Sequence, residues 1–321
     1  MTSEIVISTD QLTRNFAATT AVDHLDLQVH RGEVFGFLGH NGSGKTTTVR
    51  LLNGVLTPSS GSANVLGFDP TVDGAKLRRQ TGVLTETPSL DDRLSARDTL
   101  TIFAEIFGVA RHKVNERVDG LLDQFGLIDR AKERVGGFSK GMKQRLAIAR
   151  TILHDPELIF LDEPTGGLDP VATRDVHNLI TRLSRDEQRT VILCTHNLVE
   201  AQKLCHRVAV LAKGKVLASG TTSELRARYS RSQRLQIEID PAQREEAIML
   251  IQGIPGVVEV KQSVSENGEL NEVAEGTLSI QGIGYDGIPN LVVSLVAGGI
   301  AIYRLLPEEA SLEDVYFALQ S

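Results

Sequence analysis

Residues 39–46 read Gly-His-Asn-Gly-Ser-Gly-Lys-Thr, directly after the apolar run 34–38 and ahead of a helix-forming stretch. No other segment restricts the fold as strongly. A buried strand that breaks into a glycine-rich turn and then a helix brings successive main-chain N–H groups onto one anion. The helix start adds partial positive charge at the same point. Lys45 can then reach the β- and γ-phosphates of a nucleotide, and the Thr46 hydroxyl can ligate Mg2+. The expected pocket comprises Gly39, His40, Asn41, Gly42, Ser43, Gly44, Lys45, Thr46 and Thr47.

Such a loop needs a sheet to carry it. The front of the chain alternates short apolar runs with amphipathic helical stretches, which predicts an α/β fold. Strands are expected at 34–38, 158–161, 191–194 and 208–211, with Lys213-Gly214 turning a hairpin into 215–218. Between about 90 and 125 the chain reads as helical. Leu100, Phe103 and Phe107 share one face there, as do Val114, Val118, Leu121, Leu122 and Phe125, and Gly108 and Gly126 sit where helices should end.

The segment 158–161 ends in two carboxylates, Asp162 and Glu163. A parallel strand delivers its last residues to the sheet edge where ligands bind. Asp162 can hold Mg2+, and Glu163, expected on the opposite side of the strand, can polarise an attacking water as a general base. Alone, an Asp-Glu pair ending a strand reads as a solvated terminus. A phosphate-binding loop in the same chain reverses that reading.

Composition narrows the rest. The 321 residues have room for two domains, and 41% hydrophobic content excludes a disordered or collagenous chain. The longest weakly polar stretch, 291–303, is too short for the ~20 apolar residues of a membrane span. The first residues carry no apolar signal core, so no secretion is expected. Cys194 and Cys205 fit no metal spacing and read as reduced core thiols. From Leu235 onward there are 3 basic and 14 acidic residues, a net −11 against −7 for the whole chain, so residues 1–234 carry +4. The front welcomes an anion; the rear repels nucleic acid, and no nucleic-acid partner is expected.

Between the two sites lies Gly-Phe-Ser-Lys-Gly-Met-Lys-Gln-Arg, starting at Gly137, where Ser139 and Gly141 open a helix. On physical grounds this is either an anion site or an ordinary N-cap. The order of the motifs, however, closely resembles an ABC-type ATPase: glycine loop, Ser-x-Gly helix start, Leu-Asp-Glu-Pro-Thr-Gly-Gly-Leu-Asp-Pro at 161–170, then a strand ending in Thr195-His196. The sequence is similar to ATP-binding subunits of ABC transporters, in particular daunorubicin-resistance-like exporters of the ABC-2 type. The resemblance covers roughly residues 3–225, and the ending 311–320 is similar to the close of the C-terminal extension in that subgroup.

The resemblance implies a P-loop NTPase fold with an ATP-binding domain at 1–228, containing a helical subdomain at about 88–150. It implies ATP and Mg2+ as cofactors, with Thr46, Asp162 and Glu86 at the metal and Glu163 and His196 catalytic. Phe16 takes the place of the aromatic that stacks on adenine. Ser139 and Gly141 would close on the γ-phosphate of a second copy, with Gly167 and Asp169 in the loop that crosses between copies. A membrane-spanning permease subunit is implied as partner, placing the chain at the cytoplasmic face of the membrane. The helical region after Glu86 would dock it. Four positions depart from the usual pattern: Lys140 and Met142 in the signature, Glu86 where glutamine is usual, and Gly166 where serine often precedes the Gly-Leu-Asp of the crossing loop. Lys140, Met142 and Glu86 leave open an alternative, a nucleotide-gated regulatory module with little turnover, against which Glu163 and His196 argue.

A basic linker near 228–234 precedes the rear part. There, strand-like 235–239, helix-like 242–251, strand-like 257–261 and 277–281, helical 289–296 and strand-like 300–305 give the order βαββαβ, and a last helix follows at 311–319. That order predicts a small α+β, ferredoxin-like domain at 235–321. No cluster of chemistry-bearing residues stands out in it.

Overall fold

The computed structural model describes residues 4–17, 19–87, 89–229, 234–262, 276–308 and 311–320. Residues 230–233 of the expected linker, Pro88 at the start of the expected helical subdomain, and residues 263–275 between the expected strands 257–261 and 277–281 lie outside the described residues. The chain divides into two compact units, 1–222 and 223–321. The division falls ahead of the expected boundary at 228, because the helix Thr222–Tyr229 goes with the rear.

In chain order the front unit contains strands β1 (Ile5–Phe16), β2 (Thr19–His30), β3 (Val34–Leu38), β4 (Ser60–Val65), β5 (Thr81–Leu84), β6 (Leu158–Asp162), β7 (Thr190–Thr195), β8 (Arg207–Ala212) and β9 (Lys215–Thr221). Its helices are α1 (Lys45–Leu52), α2 (Gly74–Leu77), α3 (Ala96–Ile106), α4 (Val114–Gln124), α5 (Lys140–Thr151), α6 (Pro170–Arg185) and α7 (Leu198–Leu204). One sheet has the order β5-β6-β7-β3-β8-β9. Its first five members run parallel, and β9 returns antiparallel through a hairpin at Lys213 (φ 50°) and Gly214 (φ 80°). Strands β3, β6 and β7 are buried at every residue, as expected of parallel strands covered on both faces.

A second sheet, β2-β1-β4, is antiparallel. The sequence reading did not foresee it. Gln11 (φ 48°) and His24 (φ 50°) take left-handed conformations inside its long strands, and the pairing slips between Thr9 and Leu12. These bulges break the two-residue alternation that marks a strand. Its apolar side chains Val6, Ile7, Leu25 and Val29 join Phe35, Phe37 and Phe160 in one core.

The helical stretch follows its periodicity. Leu100, Val118, Leu121 and Leu122 are buried, and Gly108 (φ 74°) and Gly126 (φ 62°) close α3 and α4 in the left-handed conformation. Phe103 and Phe107 are only half-buried. Arg150 lies over the Phe103 ring at 4.9 Å, and Phe107 stacks on His154 at 3.9 Å.

In the rear unit β10 (Arg234–Ile239), β11 (Glu259–Gln262), β12 (Thr277–Gln281) and β13 (Ile302–Glu308) form an antiparallel sheet of order β11-β12-β10-β13. Numbered within the unit, that order is 2-3-1-4, the arrangement of a ferredoxin-like sandwich. The helices Arg244–Gln252 and Ile288–Ala297 supply Ala247, Ile251, Leu291 and Leu295 to a core with Leu235, Ile237, Leu278 and Ile280.

Candidate functional site

The parallel strands bring the chemistry to one sheet edge. β3 ends at Leu38 and releases the glycine loop. β5 ends two residues before Glu86, β6 ends in Asp162, and β7 ends one residue before His196. A cleft of about 400 Å3 opens there, lined by Asn41–Thr47, Phe16, Ala21, Glu86, Asp162 and Glu163.

The loop is shaped by backbone conformations that side chains resist. Gly44, the N-cap of α1, has φ 111°, and a Cβ on it would lie 2.5 Å from the Ala21 carbonyl oxygen. Lys45 is 5% exposed, and its Nζ donates to the carbonyls of Gly39 (2.6 Å) and His40 (3.2 Å). The ammonium is thereby held above the loop, 4.0 Å from Glu163 Oε1. Ser43 Oγ is buried without a hydrogen-bond partner. Gly39 and His40 take part through their carbonyls rather than by lining the cleft.

Thr46 Oγ1 donates to Asp162 Oδ2 at 2.7 Å. Burial raises the Asp162 carboxyl above its ordinary range; the Thr46 hydrogen bond opposes this, while the charges of Glu163 and Glu86 add to it. Three carboxylates face the cleft against Lys45, its one basic lining residue. That excess of hard oxygen donors beside a hydroxyl fits a divalent cation. Among the described residues no group of three or more His, Cys, Asp or Glu makes a closed metal cage. Mg2+ asks for less, one or two carboxylates plus substrate phosphates and water.

Glu163 departs from the expected geometry. Strand alternation predicted that it would point away from Asp162's side. Instead its φ of 50° breaks the alternation just past β6, and both carboxylates line the same cleft. Its Oε1 accepts from the His196 main-chain N–H at 3.0 Å and lies 2.8 Å from His196 Nδ1. Glu163 is 11% exposed on its side chain and His196 62%, so the pair has a sheltered carboxylate and an open imidazole. Such a carboxylate can orient and deprotonate a water.

Phe16 is 42% exposed, with Arg14 packed over its ring at 4.6 Å. Ser139 caps α5 by accepting from Met142 N–H at 3.3 Å, so the N-cap alternative is realised within the chain. Neither Ser139 nor Gly141 lines the cleft. Gly167 (φ 67°) and Asp169 lie in the turn before α6, and Asp169 Oδ1 caps that helix through Val171 and Ala172 N–H, both at 2.9 Å. A Cβ on Gly167 would collide with the Lys140 amine, which occupies that space.

Sequence reasoning missed Gln144, whose amide donates to the Pro164 carbonyl at 2.7 Å, and Glu200, which is 2% exposed on α7. A signal for Glu200 existed. It shares the buried stripe of α7 with Ala201 and Leu204, an unusual place for a carboxylate.

Fold and site together define a P-loop nucleoside triphosphatase. The family described as ABC transporter matches residues 22–166. The bacitracin transport ATP-binding protein BcrA of Bacillus licheniformis is 34% identical over 324 residues, covering 98% of this chain and 97% of that protein. The daunorubicin/doxorubicin resistance ATP-binding protein DrrA of Streptomyces peucetius is 40% identical over 252 residues, covering 78% and 76%. A solved ATP-binding subunit of an ABC transporter superposes with a TM-score of 0.64 at 29% identity, over 70% of this chain and 93% of that one. CbiO1 of Clostridium perfringens, part of the ABC transporter complex CbiONQ, gives 0.64 at 26% identity over 78% and 96%. The chain belongs to the ATP-binding proteins of ABC transporters, ATPases whose hydrolysis is coupled to transport through membrane permease components.

Proposed function

We propose that the chain powers export: two copies close face to face over two ATP molecules and reopen on hydrolysis, driving a separate permease at the cytoplasmic face of the membrane. The observation that carries the reading is the Lys45–Glu163–His196 cluster at one mouth of the cleft. In this reading Lys45 and the amides of 41–47 bind the phosphates, and Phe16 stacks on adenine. Thr46, Asp162 and Glu86 would hold Mg2+ directly or through water, which would neutralise phosphate charge when bound. Glu163 takes the proton from the attacking water, and His196 steadies that carboxylate and meets the γ-phosphate.

Ser139 and Gly141 stand outside the chain's own cleft, which suits a role on a twin's nucleotide. Gly167 and Asp169 belong to the loop that would cross between copies. Export rather than import rests on relatives named for drug resistance and bacitracin transport. No helix among the described residues is long and apolar enough to cross a membrane.

The test is to express the chain with and without a candidate permease and to measure ATP turnover and membrane co-fractionation. Both should rise with the correct partner. Turnover and location that never depend on any permease would overturn the assignment.

A further inference from the structure

The carboxylate of Glu200 lies outside the cleft lining and away from solvent. Its side chain is 1% exposed. One oxygen, Oε1, accepts from Thr165 Oγ1 at 2.8 Å and lies 3.1 Å from His177 Nε2. The other, Oε2, is buried without a hydrogen-bond partner. Burying a carboxylate this deeply is costly, and an apolar side chain at this point on α7 would avoid the cost.

Its partners flank one loop. Thr165 stands two residues beyond Glu163, and His177 lies on α6, whose N-cap is Asp169. The Glu200 carboxylate thus touches the chain on both sides of residues 166–169: at Thr165, immediately before them, and at His177, about two turns into the helix that follows. That carboxylate sits on α7, the helix beginning just after His196. Asn197 Oδ1 accepts from Glu200 N–H at 3.0 Å, and Asn197 N–H donates to Thr195 Oγ1 at 3.0 Å, so the turn carrying His196 is tied to the same point. With the Glu163–His196 pair, the segments 163–165 and 196–200 are joined by two separate bridges.

We infer that Glu200 is a positioning residue: it locks the loop 166–169 to the turn carrying His196, so that the hydrolytic carboxylate and the loop facing a twin move as one unit. The inference rests on the ATPase reading above. Glu200 does not line the nucleotide cleft and its side chain is 1% exposed, so its effect falls on the geometry of Glu163 and His196. Phosphate binding by the glycine loop does not depend on it.

The experiment compares the full-length wild type with Glu200→Ala, Glu200→Gln, Thr165→Val and the variant carrying both Glu200→Ala and Thr165→Val. It measures kcat and KM for Mg·ATP, equilibrium binding of a fluorescent ATP analogue, and thermal unfolding. Glu200→Ala should lower kcat roughly 10–100-fold with KM and analogue affinity unchanged, since small misplacements of reacting groups cost this much. Glu200→Gln keeps an acceptor for Thr165 and should recover most of the rate. Thr165→Val should reproduce part of the loss and add nothing to Glu200→Ala. Should Glu200→Ala fail to fold, Thr165→Val and Glu200→Gln decide the matter. Unchanged kcat in the folded variants, or a KM that rises in step with falling stability, would reduce Glu200 to a packing element. A wild type without turnover would instead sink the ATPase reading, whatever the variants do.

Discussion

His196 reaches one oxygen of Glu163 twice, through its main-chain N–H at 3.0 Å and its Nδ1 at 2.8 Å. The second contact fixes the imidazole, and the first fixes the carboxylate. Together they hold the end of β6 and the end of β7 in one arrangement across the sheet edge.

Glu163→Gln keeps an oxygen to accept from the His196 N–H but cannot take a proton. Mg·ATP binding should be retained while phosphate release falls by about 10²–10⁴-fold. Radiolabelled phosphate release beside an equilibrium ATP titration checks both halves. Equal release by variant and wild type would mean that another group accepts the proton.

The loop glycines allow a paired test. Gly44→Ala places a methyl 2.5 Å from the Ala21 carbonyl and forces φ 111° on an L-residue, whereas Gly42 (φ 82°) has open space where its Cβ would go. Gly42→Ala should cost about 1–2 kcal/mol of backbone strain alone. Gly44→Ala should cost more, and should weaken ATP binding by displacing the N–H groups at the start of α1. Thermal unfolding and ATP titration of both variants read the difference. Equal penalties would show that the approach of Ala21 does not govern the loop.

Much of the site was legible because its chemistry resides in the residue types themselves. Lys45, Asp162 and Glu163 each stand at or beyond the end of a strand that reads plainly from its apolar run, and a parallel sheet gathers such ends on one edge, whereas His196 was legible only through the family resemblance. The Glu163 side-chain direction was not legible. It depends on one left-handed backbone angle that strand alternation does not foresee. The sheet β2-β1-β4 was hidden by bulges at Gln11 and His24. The Glu200 bridge joins residues far apart in the chain, and only the packing of α6 against α7 makes it.

Phe16 carries a prediction about the base. The half-open ring should give an adenine a stacking surface worth about 1–3 kcal/mol. Phe16→Ala should therefore raise the Kd for ATP roughly 5–150-fold by the same arithmetic, while Phe16→Tyr should leave it near the wild-type value. The Kd for tripolyphosphate, which has no base, should not change in either variant. A parallel loss for tripolyphosphate would place Phe16 in the loop's support rather than on the base.

His154 gives the fold a pH dependence with a definite sign. Burial lowers its pKa below the ordinary 6.5; the Thr81 carbonyl, 3.0 Å from Nε2, works against that shift, and the nearby Arg117 charge reinforces it. The unfolded chain takes up a proton near 6.5, whereas the folded chain, with the ring stacked on Phe107, resists until lower pH. Between those points the unfolded state binds more protons, so stability falls as pH falls through this window. Above it, the ring is neutral in both states and its packing contributes in full. The gap in Tm between wild type and His154→Gln should thus be widest near pH 7.5 and narrow by about pH 5.5, because glutamine cannot titrate. Thermal unfolding of both proteins across this range measures the gap. A gap that stays constant would mean that the imidazole is not held neutral in the fold, and one that widens on acidification would reverse the sign of its shift.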